Sequence, residues 1–358
     1  MTDQRHDHEA RTPRTSAPGG DGQRERTRVE RRSLDRDLGE PLAAGERKGG
    51  PPRALARTAR PLAEWESRPR ILVTNDDGIE SRGLLALAQS LQPLGDVYVV
   101  APETNQSAVG HQKTFMRPLR VRERTLADES IGWSVDGSPT DAVSLAFLGY
   151  FEIGFDLVAS GINYGANLGD DVTYSGTVSA AMEAVINGCP AFAISQEYYE
   201  HPDFTLAGRV AHLAAVNILE RGLAPGELIN INVPALGVDE SGGIEVTRMG
   251  KRIYQDELIV RLDPRGVPYY WIGGPPPSGV AEEGTDFAAV VAGRIAITPI
   301  QLDLTARRLL SRLRSWPWDL SGSVAAEEVP AAAFAGSPAE EALEDTVTAQ
   351  ADPELERR

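Results

Sequence analysis

The sequence predicts an α/β fold in which a mostly parallel sheet carries helices on both faces and is followed by a β-rich C-terminal extension. Short, continuous apolar runs of β-type residues alternate with segments whose apolar residues recur at helical spacing. The runs are apolar throughout, which is typical of parallel strands buried on both faces. Beyond Pro234, short strands separated by turns replace this alternation.

The first elements are a strand at residues 71–74, a polar turn at 75–78 and a helix in which leucines and alanines recur between residues 84 and 91. Strands and helices then alternate, with strands at 96–101, 156–160, 191–195 and 228–233 and helices at 140–151, 175–187 and 206–221. In the extension, at about residues 235–300, we expect strands at 244–249, 269–272 and 294–299 and then a closing helix at 304–313. Together these elements form one domain at residues 69–318.

The two ends of the chain differ from this domain in composition. Residues 1–68 mix arginines with acidic residues and contain few large apolar side chains, and residues 319–358 are acidic and rich in Ala, Glu and Pro. Neither segment can bury enough apolar surface to offset the entropy lost on ordering. We therefore expect two disordered tails, to which the sequence assigns no role.

Charge and composition exclude several classes of protein. The net charge is −16, and the region between the tails carries −12 of it, so long phosphate backbones are repelled and no nucleic acid polymer is expected as a partner. No apolar run reaches the roughly 20 residues of a membrane span. The single cysteine, Cys189, cannot form an internal disulfide. We therefore expect a cytoplasmic protein that is not bound to a membrane.

Polar loops follow three of the predicted strands, at residues 74–78, 102–107 and 160–171, and the third continues to a predicted helix start at 174–178. In open α/β sheets, ligands bind beyond the carboxyl ends of the strands. The third loop is rich in glycine and asparagine, and the free N–H groups of a helix start suit an anion, so it predicts a phosphate cradle. The alternative is a flexible loop with an ordinary Ser or Thr helix cap.

Two adjacent aspartates, Asp76 and Asp77, lie in the first of these loops. Their carboxylates can converge only where the chain turns, which Gly78 allows. Two close carboxylates then need a shared proton or a cation, and nearby Ser, Asn and water oxygens favour a hard divalent ion such as Mg²⁺, Mn²⁺ or Ca²⁺. The alternative is a simple Asn-Asp-Gly turn in which Asp76 caps the chain and Asp77 is solvated.

Other catalytic signatures are missing from the sequence. There is no G-x-S-x-G, no G-x-G-x-x-G after the first strand and no G-x-x-x-x-G-K-[ST], which disfavours a serine hydrolase, a dinucleotide site and a P-loop. Of the histidines in the predicted domain, only His111 lies near the proposed site.

Specific motifs make the chain similar to the SurE family of survival-protein nucleotidases. The similarity spans about residues 69–315. The motifs are I-L-V-T-N-D-D-G-I at 71–79, V-V-A-P at 99–102, G-S-P-T-D at 137–141, S-G-I-N-x-G-x-N-L-G-D-D-x-x-Y-S-G-T-V-x-A-A-M-E at 160–183, I-N-I-N-V-P at 229–234, D-P-R-G at 263–266, G-T-D-F-A-A-V at 284–290 and I-T-P-I at 297–300. Ala108 departs from the family pattern, in which a glycine commonly follows the serine at this position.

The resemblance implies a Rossmann-like sheet, a β-rich extension used in oligomer contacts, and a homodimer or homotetramer. It also implies a phosphomonoesterase that acts on nucleoside 5′-monophosphates, with 3′-monophosphates and short polyphosphate as further substrates. One Mg²⁺ or Mn²⁺ ion per subunit would be held by the following four residues: Asp76, Asp77, Ser107 and Asn163.

The chemistry of the residues agrees with this resemblance. Two aspartates supply the charge that matches a divalent ion, and such an ion can activate a water for attack at phosphorus. Donors for the phosphoryl oxygens would be Asn167, Ser175, Gly176 and Thr177. Asp76 and Asp77 are both candidates for the catalytic base or nucleophile, and we favour attack by water.

Two rival functions remain open at this point. A haloacid-dehalogenase-type phosphatase also has an aspartate after its first strand, but it needs Asp-x-Asp spacing, whereas Asp76 and Asp77 are adjacent. A nucleotide- or metal-sensing module without turnover would keep the same fold.

Overall fold

The computed structural model describes residues 61–198, 202–275 and 277–318. Most of the two predicted tails therefore lies outside the described residues. Within residues 61–68, which composition assigns to the first tail, Leu62–Glu64 form a 3-10 turn, and Leu62 and Trp65 pack against the core. The backbone N–H of Leu62 also donates to the Glu220 carboxylate at 3.2 Å. This part of the predicted tail thus packs on the domain.

A nine-stranded sheet forms the centre of the domain. Its strands are β1 (Arg70–Thr74), β2 (Asp96–Pro102), β3 (Val121–Thr125), β4 (Ile131–Val135), β5 (Leu157–Tyr164), β6 (Ala191–Gln196), β7 (Glu227–Val233), β8 (Ile244–Val246) and, after the extension, β13 (Ile295–Gln301). They lie in the order β3-β4-β2-β1-β5-β6-β7-β13-β8. Only β3 and β13 form antiparallel pairs in this sheet, β3 with β4 and β13 with β7. The predicted mostly parallel sheet is confirmed.

Helices cover both faces of this sheet. The helices are α1 (Arg82–Leu91), α2 (Pro139–Leu145), α3 (Gly176–Ile186), α4 (Thr205–Arg221), α5 (Asp286–Val291) and α6 (Arg307–Leu313). On β1, Ile71 and Val73 join a buried cluster with α1 and α4, whereas Leu72 joins another with α2 and α3. Because successive strand residues point to opposite faces, the two clusters lie on opposite sides of the sheet. Among the described residues, no helix combines the length and apolarity needed to span a membrane.

Several elements differ from the sequence prediction. The β3–β4 hairpin is not predicted because β3, V-R-E-R-T, is a mostly polar edge strand. The helix expected at 140–151 is α-helical only to Leu145 and then continues as one π turn, Ala146–Tyr150, in which Gly149 has a φ of 103°. The strand expected at 156–160 continues to Tyr164 as β5, past an irregularity between Ser160 and Asn163. The third polar loop therefore begins later than predicted.

The extension has two further small sheets. They are formed by β9 (Arg252–Ile253) with β12 (Ser278–Gly279) and by β10 (Glu257–Leu262) with β11 (Pro268–Gly273). The strand predicted at 294–299 is β13, and it lies in the central sheet between β7 and β8 rather than in the extension. The β-rich extension is confirmed, but its first and last strands, β8 and β13, belong to the main sheet.

Asp286 connects the extension to the third polar loop. Its carboxylate is fully buried and accepts the backbone N–H of Gly169 at 2.8 Å and that of Gly250 at 2.7 Å. The two glycines also approach each other so closely that a Cβ on Gly169 would lie 2.5 Å from the Gly250 carbonyl oxygen. One side chain thus holds two backbone segments in contact.

Asp286→Ala should lower the free energy of unfolding by about 2–4 kcal/mol, because it leaves two buried N–H groups without an acceptor. Urea unfolding followed by circular dichroism measures this change. Asp239→Ala, at an exposed position, is the matched control and should change stability by less than about 0.5 kcal/mol. Equal stability of the two variants would contradict the role of Asp286.

Candidate active site

The loops that follow β1, β2 and β5 meet at the carboxyl edge of the sheet. The Asn75 side chain closes the first loop, since its amide exchanges hydrogen bonds of 3.1 Å with the backbone N–H and carbonyl of Gly78. The backbone N–H of Gln106, in the second loop, donates to the Asp76 carbonyl at 2.7 Å. The backbone N–H of Tyr164, at the end of β5, donates to Asp77 Oδ2 at 3.2 Å. Hydrogen bonds to the two aspartates therefore hold the three loops together.

The Asp76 carboxylate is buried against the first turn of α3. It accepts a hydrogen bond from the Thr177 hydroxyl and from the backbone N–H groups of Thr177 and Gly176. Burial raises the pKa of Asp76, and these hydrogen bonds oppose the rise. A Cβ on Gly176 would lie 2.8 Å from the Asp76 Cβ, so only glycine allows this approach. The helix start that predicts a phosphate cradle thus binds a carboxylate of the protein itself.

The Asp77 carboxylate is more exposed than that of Asp76. Besides the bond from Tyr164, its Oδ1 accepts a long hydrogen bond of 3.4 Å from the Asn105 amide. Burial and the charge of Asp76 raise the pKa of Asp77 to about 6. Burial is thus the main cause of the raised pKa at both carboxyl groups, and for Asp77 the neighbouring charge of Asp76 adds to it.

The two neutral ligands predicted for a metal, Ser107 and Asn163, belong to the segments after β2 and at the end of β5 that contact Asp76 and Asp77. Ser107 is exposed, and its backbone N–H donates to Asn105 Oδ1 at 2.9 Å, while the amide nitrogen of Asn105 contacts Asp77. The Asn163 amide nitrogen donates to the Gly165 carbonyl at 2.6 Å, which leaves the amide oxygen for a cation. Ala108, the departure from the family pattern, has a φ of 59°, a conformation that favours glycine.

The described residues include no group of three or more His, Cys, Asp or Glu side chains arranged to hold a metal ion. A cation between Asp76 and Asp77 would therefore depend on neutral oxygens as well, and Ser107 and Asn163 supply that type of ligand. Hydroxyl, amide and carboxylate oxygens together suit Mg²⁺ or Mn²⁺. The residues present thus fit a hard divalent ion.

The remaining predicted phosphate donors have structural partners. The Ser175 hydroxyl caps α3 by accepting the backbone N–H of Val178 at 3.1 Å. The side-chain amide of Asn167 donates to the Ser195 hydroxyl at 2.8 Å. The backbone carbonyl of Asn167 accepts hydrogen bonds from the side-chain amides of Asn230 and Asn232. Asn167 therefore holds the third loop over the ends of β6 and β7, and its contact with phosphate stays a prediction.

Sequence reasoning missed the role of Glu183 on α3. Its buried carboxylate accepts the Lys113 ammonium at 2.9 Å and the Ser144 hydroxyl at 2.6 Å, and it lies 3.2 Å from His111 Nε2. Burial acts to raise the pKa of Glu183, but the hydrogen bonds from these three side chains lower it to about 2. The loop that carries Ser107 is thereby fastened to α3. An acidic residue within the apolar run A-A-M-E-A-V-I is the signal that could have revealed this contact.

These features define a class of protein: an α/β protein with two adjacent carboxylates at the carboxyl edge of a mostly parallel sheet, one of them against a helix start. The chain belongs to the survival protein SurE family, whose model matches residues 71–256. The resemblance seen in the motifs is thus confirmed.

Relatives and a solved structure support the same membership. A 5′-nucleotidase SurE of Chloroflexus aggregans is 50% identical over 251 residues, which cover 70% of this chain and 99% of the relative. A 5′-nucleotidase SurE of Geobacter sulfurreducens is 48% identical over 252 residues, which cover 70% and 94%. The crystal structure of the SurE protein from Aquifex aeolicus, at 41% identity and a TM-score of 0.59, covers 69% of this chain and 98% of its own.

Glu183→Gln should lower the free energy of unfolding at pH 7 by about 2 kcal/mol, because charged hydrogen bonds to a buried carboxylate are lost. The pKa of Glu183 lies below its ordinary value of 4.5, so its stabilising effect is complete above about pH 4.5 and is lost as the pH falls toward 2. Urea unfolding at several pH values should show the difference between native and variant protein shrinking over that range. Glu123→Gln, at an exposed site on β3, is the control, and a constant difference from pH 7 to 3 would refute the role of Glu183.

Proposed function

We propose that the protein is a divalent-metal-dependent 5′-nucleotidase that hydrolyses nucleoside 5′-monophosphates to nucleoside and phosphate. The names of the relatives support the reaction, and the paired carboxylates at the sheet edge support the metal. The observation that carries the proposal is the contact of Asp76 with the start of α3 while Asp77, beside it, is the more exposed carboxylate and accepts the backbone N–H of Tyr164.

In this proposal one Mg²⁺ or Mn²⁺ ion per subunit is held by the predicted set Asp76, Asp77, Ser107 and Asn163. When bound, such an ion supplies Lewis acidity at a phosphoryl oxygen and lowers the pKa of a bound water. The carboxylates contribute two negative charges, and the neutral ligands add none, so the ion keeps coordination positions for water and substrate.

The protein's own residues divide the remaining tasks. The hydrogen bonds from Thr177 and Gly176 fix the orientation of the Asp76 carboxylate, which we propose as a metal ligand. Asp77 is the more accessible carboxylate, and we assign to it the proton of the attacking water. Of the predicted donors to the phosphoryl oxygens we keep Asn167 and Ser175, because Gly176 and Thr177 already donate to Asp76.

The proposal also includes further substrates and a cellular compartment. Nucleoside 3′-monophosphates and short polyphosphate are proposed as secondary substrates, and the cytoplasm as the compartment. An aspartyl-phosphate intermediate is not part of it, because Asp76 and Asp77 lack the spacing of a haloacid dehalogenase.

Asp76→Asn and Asp77→Asn should each lower kcat/KM for adenosine 5′-monophosphate by about a hundredfold or more, because each removes a charge from the metal site. Gly176→Ala should do the same by displacing Asp76. Assays with Mg²⁺, Mn²⁺ and EDTA measure activity, and calorimetry with Mn²⁺ alone measures binding. Asp239→Asn is the control.

Folded Asp76 and Asp77 variants with full metal-dependent activity would refute the assignment. Metal binding without phosphate release would indicate a binding module.

We further propose that the β10–β11 hairpin joins subunits into a homodimer or homotetramer. Every residue of β10 is exposed, and on β11 Tyr270, Trp271 and Ile272 keep more than half of their surface in solvent. Apolar side chains concentrated in this way are typical of a protein interface. Leu258 and Ile272 are paired across the two strands and so lie on the same face of the hairpin.

Leu258→Asp combined with Ile272→Asp should lower the mass measured by light scattering to that of a smaller assembly, because the charges cannot be buried at an apolar interface. Circular dichroism confirms that the variant folds. Ile186→Asp, at an exposed apolar residue that ends α3, is the control and should keep the native mass. An unchanged mass of the hairpin variant would exclude this interface.

A further inference from the structure

Two tyrosines form a tilted ring pair beside the candidate active site. The rings of Tyr164 and Tyr198 have centroids 4.8 Å apart and planes inclined by 39°. Tyr198 is 72% exposed, although one face of its ring is against Tyr164. The other face is therefore open to solvent. An aromatic ring held at a fixed angle with one open face is a surface on which a second flat ring can stack.

The position of this pair connects it to Asp77. Tyr164 is the last residue of β5, directly after Asn163, and its backbone N–H is the group that donates to Asp77 Oδ2. Tyr198 follows the end of β6, and Tyr164 is paired with Gln196 at the end of that strand. Both rings thus leave the carboxyl edge of the sheet next to the residues proposed to hold the metal.

We propose that Tyr164 and Tyr198 form the platform on which the base of a nucleoside monophosphate stacks, an inference that rests on the proposed nucleotidase function. A nucleoside monophosphate has its phosphate and its base at opposite ends of a ribose. If the phosphate binds at Asp77, the base lies one ribose away from it and needs a flat apolar surface at that position. Stacking on tyrosine is tolerant of base identity because every base has a π face.

A second tyrosine pair near the site does not offer such a surface. Tyr174, just before α3, meets Tyr254 edge to face, with planes at 84° and centroids 6.4 Å apart. The Tyr254 hydroxyl donates to Asp171 Oδ1 at 2.6 Å, which ties that ring to the turn before α3. Tyr174 is 58% exposed, so it serves as a matched control for Tyr198.

The test compares a substrate that has a base with one that lacks it. Tyr198→Ala should lower kcat/KM for adenosine 5′-monophosphate about tenfold, mainly by raising KM, because a base stacked on an aromatic ring is lost. The same variant should hydrolyse ribose 5-phosphate within about twofold of the native rate. Tyr198→Phe should restore the nucleotide KM, since the ring and not the hydroxyl is required. Tyr164→Leu should resemble Tyr198→Ala, because its backbone N–H to Asp77 is retained.

Other results would contradict the proposed role of Tyr164 and Tyr198 in stacking on the base. Equal losses on both substrates, no loss on the nucleotide, or the same discrimination in Tyr174→Ala would each exclude it. Failure of the nucleotidase proposal is distinguishable, since the native protein would then release no phosphate from either substrate. In that event calorimetric binding of adenosine decides the question, with binding weakened in Tyr198→Ala if the platform is correct and unchanged if it is not.

Discussion

The repulsion between the carboxylates of two adjacent residues, Asp76 and Asp77, is the constraint on which the rest of the site depends. Two such groups at one strand end need compensation from the protein and from a cation. The protein supplies its part through the first turn of α3, where two backbone N–H groups and the Thr177 hydroxyl point at Asp76. This contact requires a glycine at 176, and it sets the position of α3 relative to β1.

Buried carboxylates recur as the means by which loops are fixed in this fold. Glu183 holds the loop that carries Ser107, and Asp286 holds the loop that carries Gly169. Asp141 belongs to the capping box of α2 and also accepts the backbone N–H of Thr114, from the loop that carries Ser107. Each accepts hydrogen bonds from elements far apart in the chain. These buried acidic side chains thus connect separate segments of the domain. They are also part of the net charge of −12 between the tails, which disfavours binding of long polyanions.

Composition and pattern were enough to predict the parallel strands and their covering helices, because a strand such as 71–74 is apolar on both faces. They were also enough to predict that Asp76 and Asp77 lie at the end of a strand. They could not predict β3, whose polar residues resemble a loop, or the antiparallel place of β13, which depends on long-range pairing with β7. Nor could they show that the start of α3 binds Asp76, because an anion-binding helix start looks the same for an internal carboxylate and for a phosphate.

The contact between Asp286 and Gly169 joins residues 117 positions apart, and this separation has a consequence for synthesis on the ribosome. The strands β1 to β7 leave the ribosome before Asp286 does, because the chain is synthesised from its N-terminus. The third loop must wait for Asp286, and the central sheet must wait for β13 to separate β7 from β8. A nascent chain that has released only the parallel strands therefore displays the aspartates without a finished loop around them. The third loop can therefore reach its final conformation only after residue 286 has been synthesised.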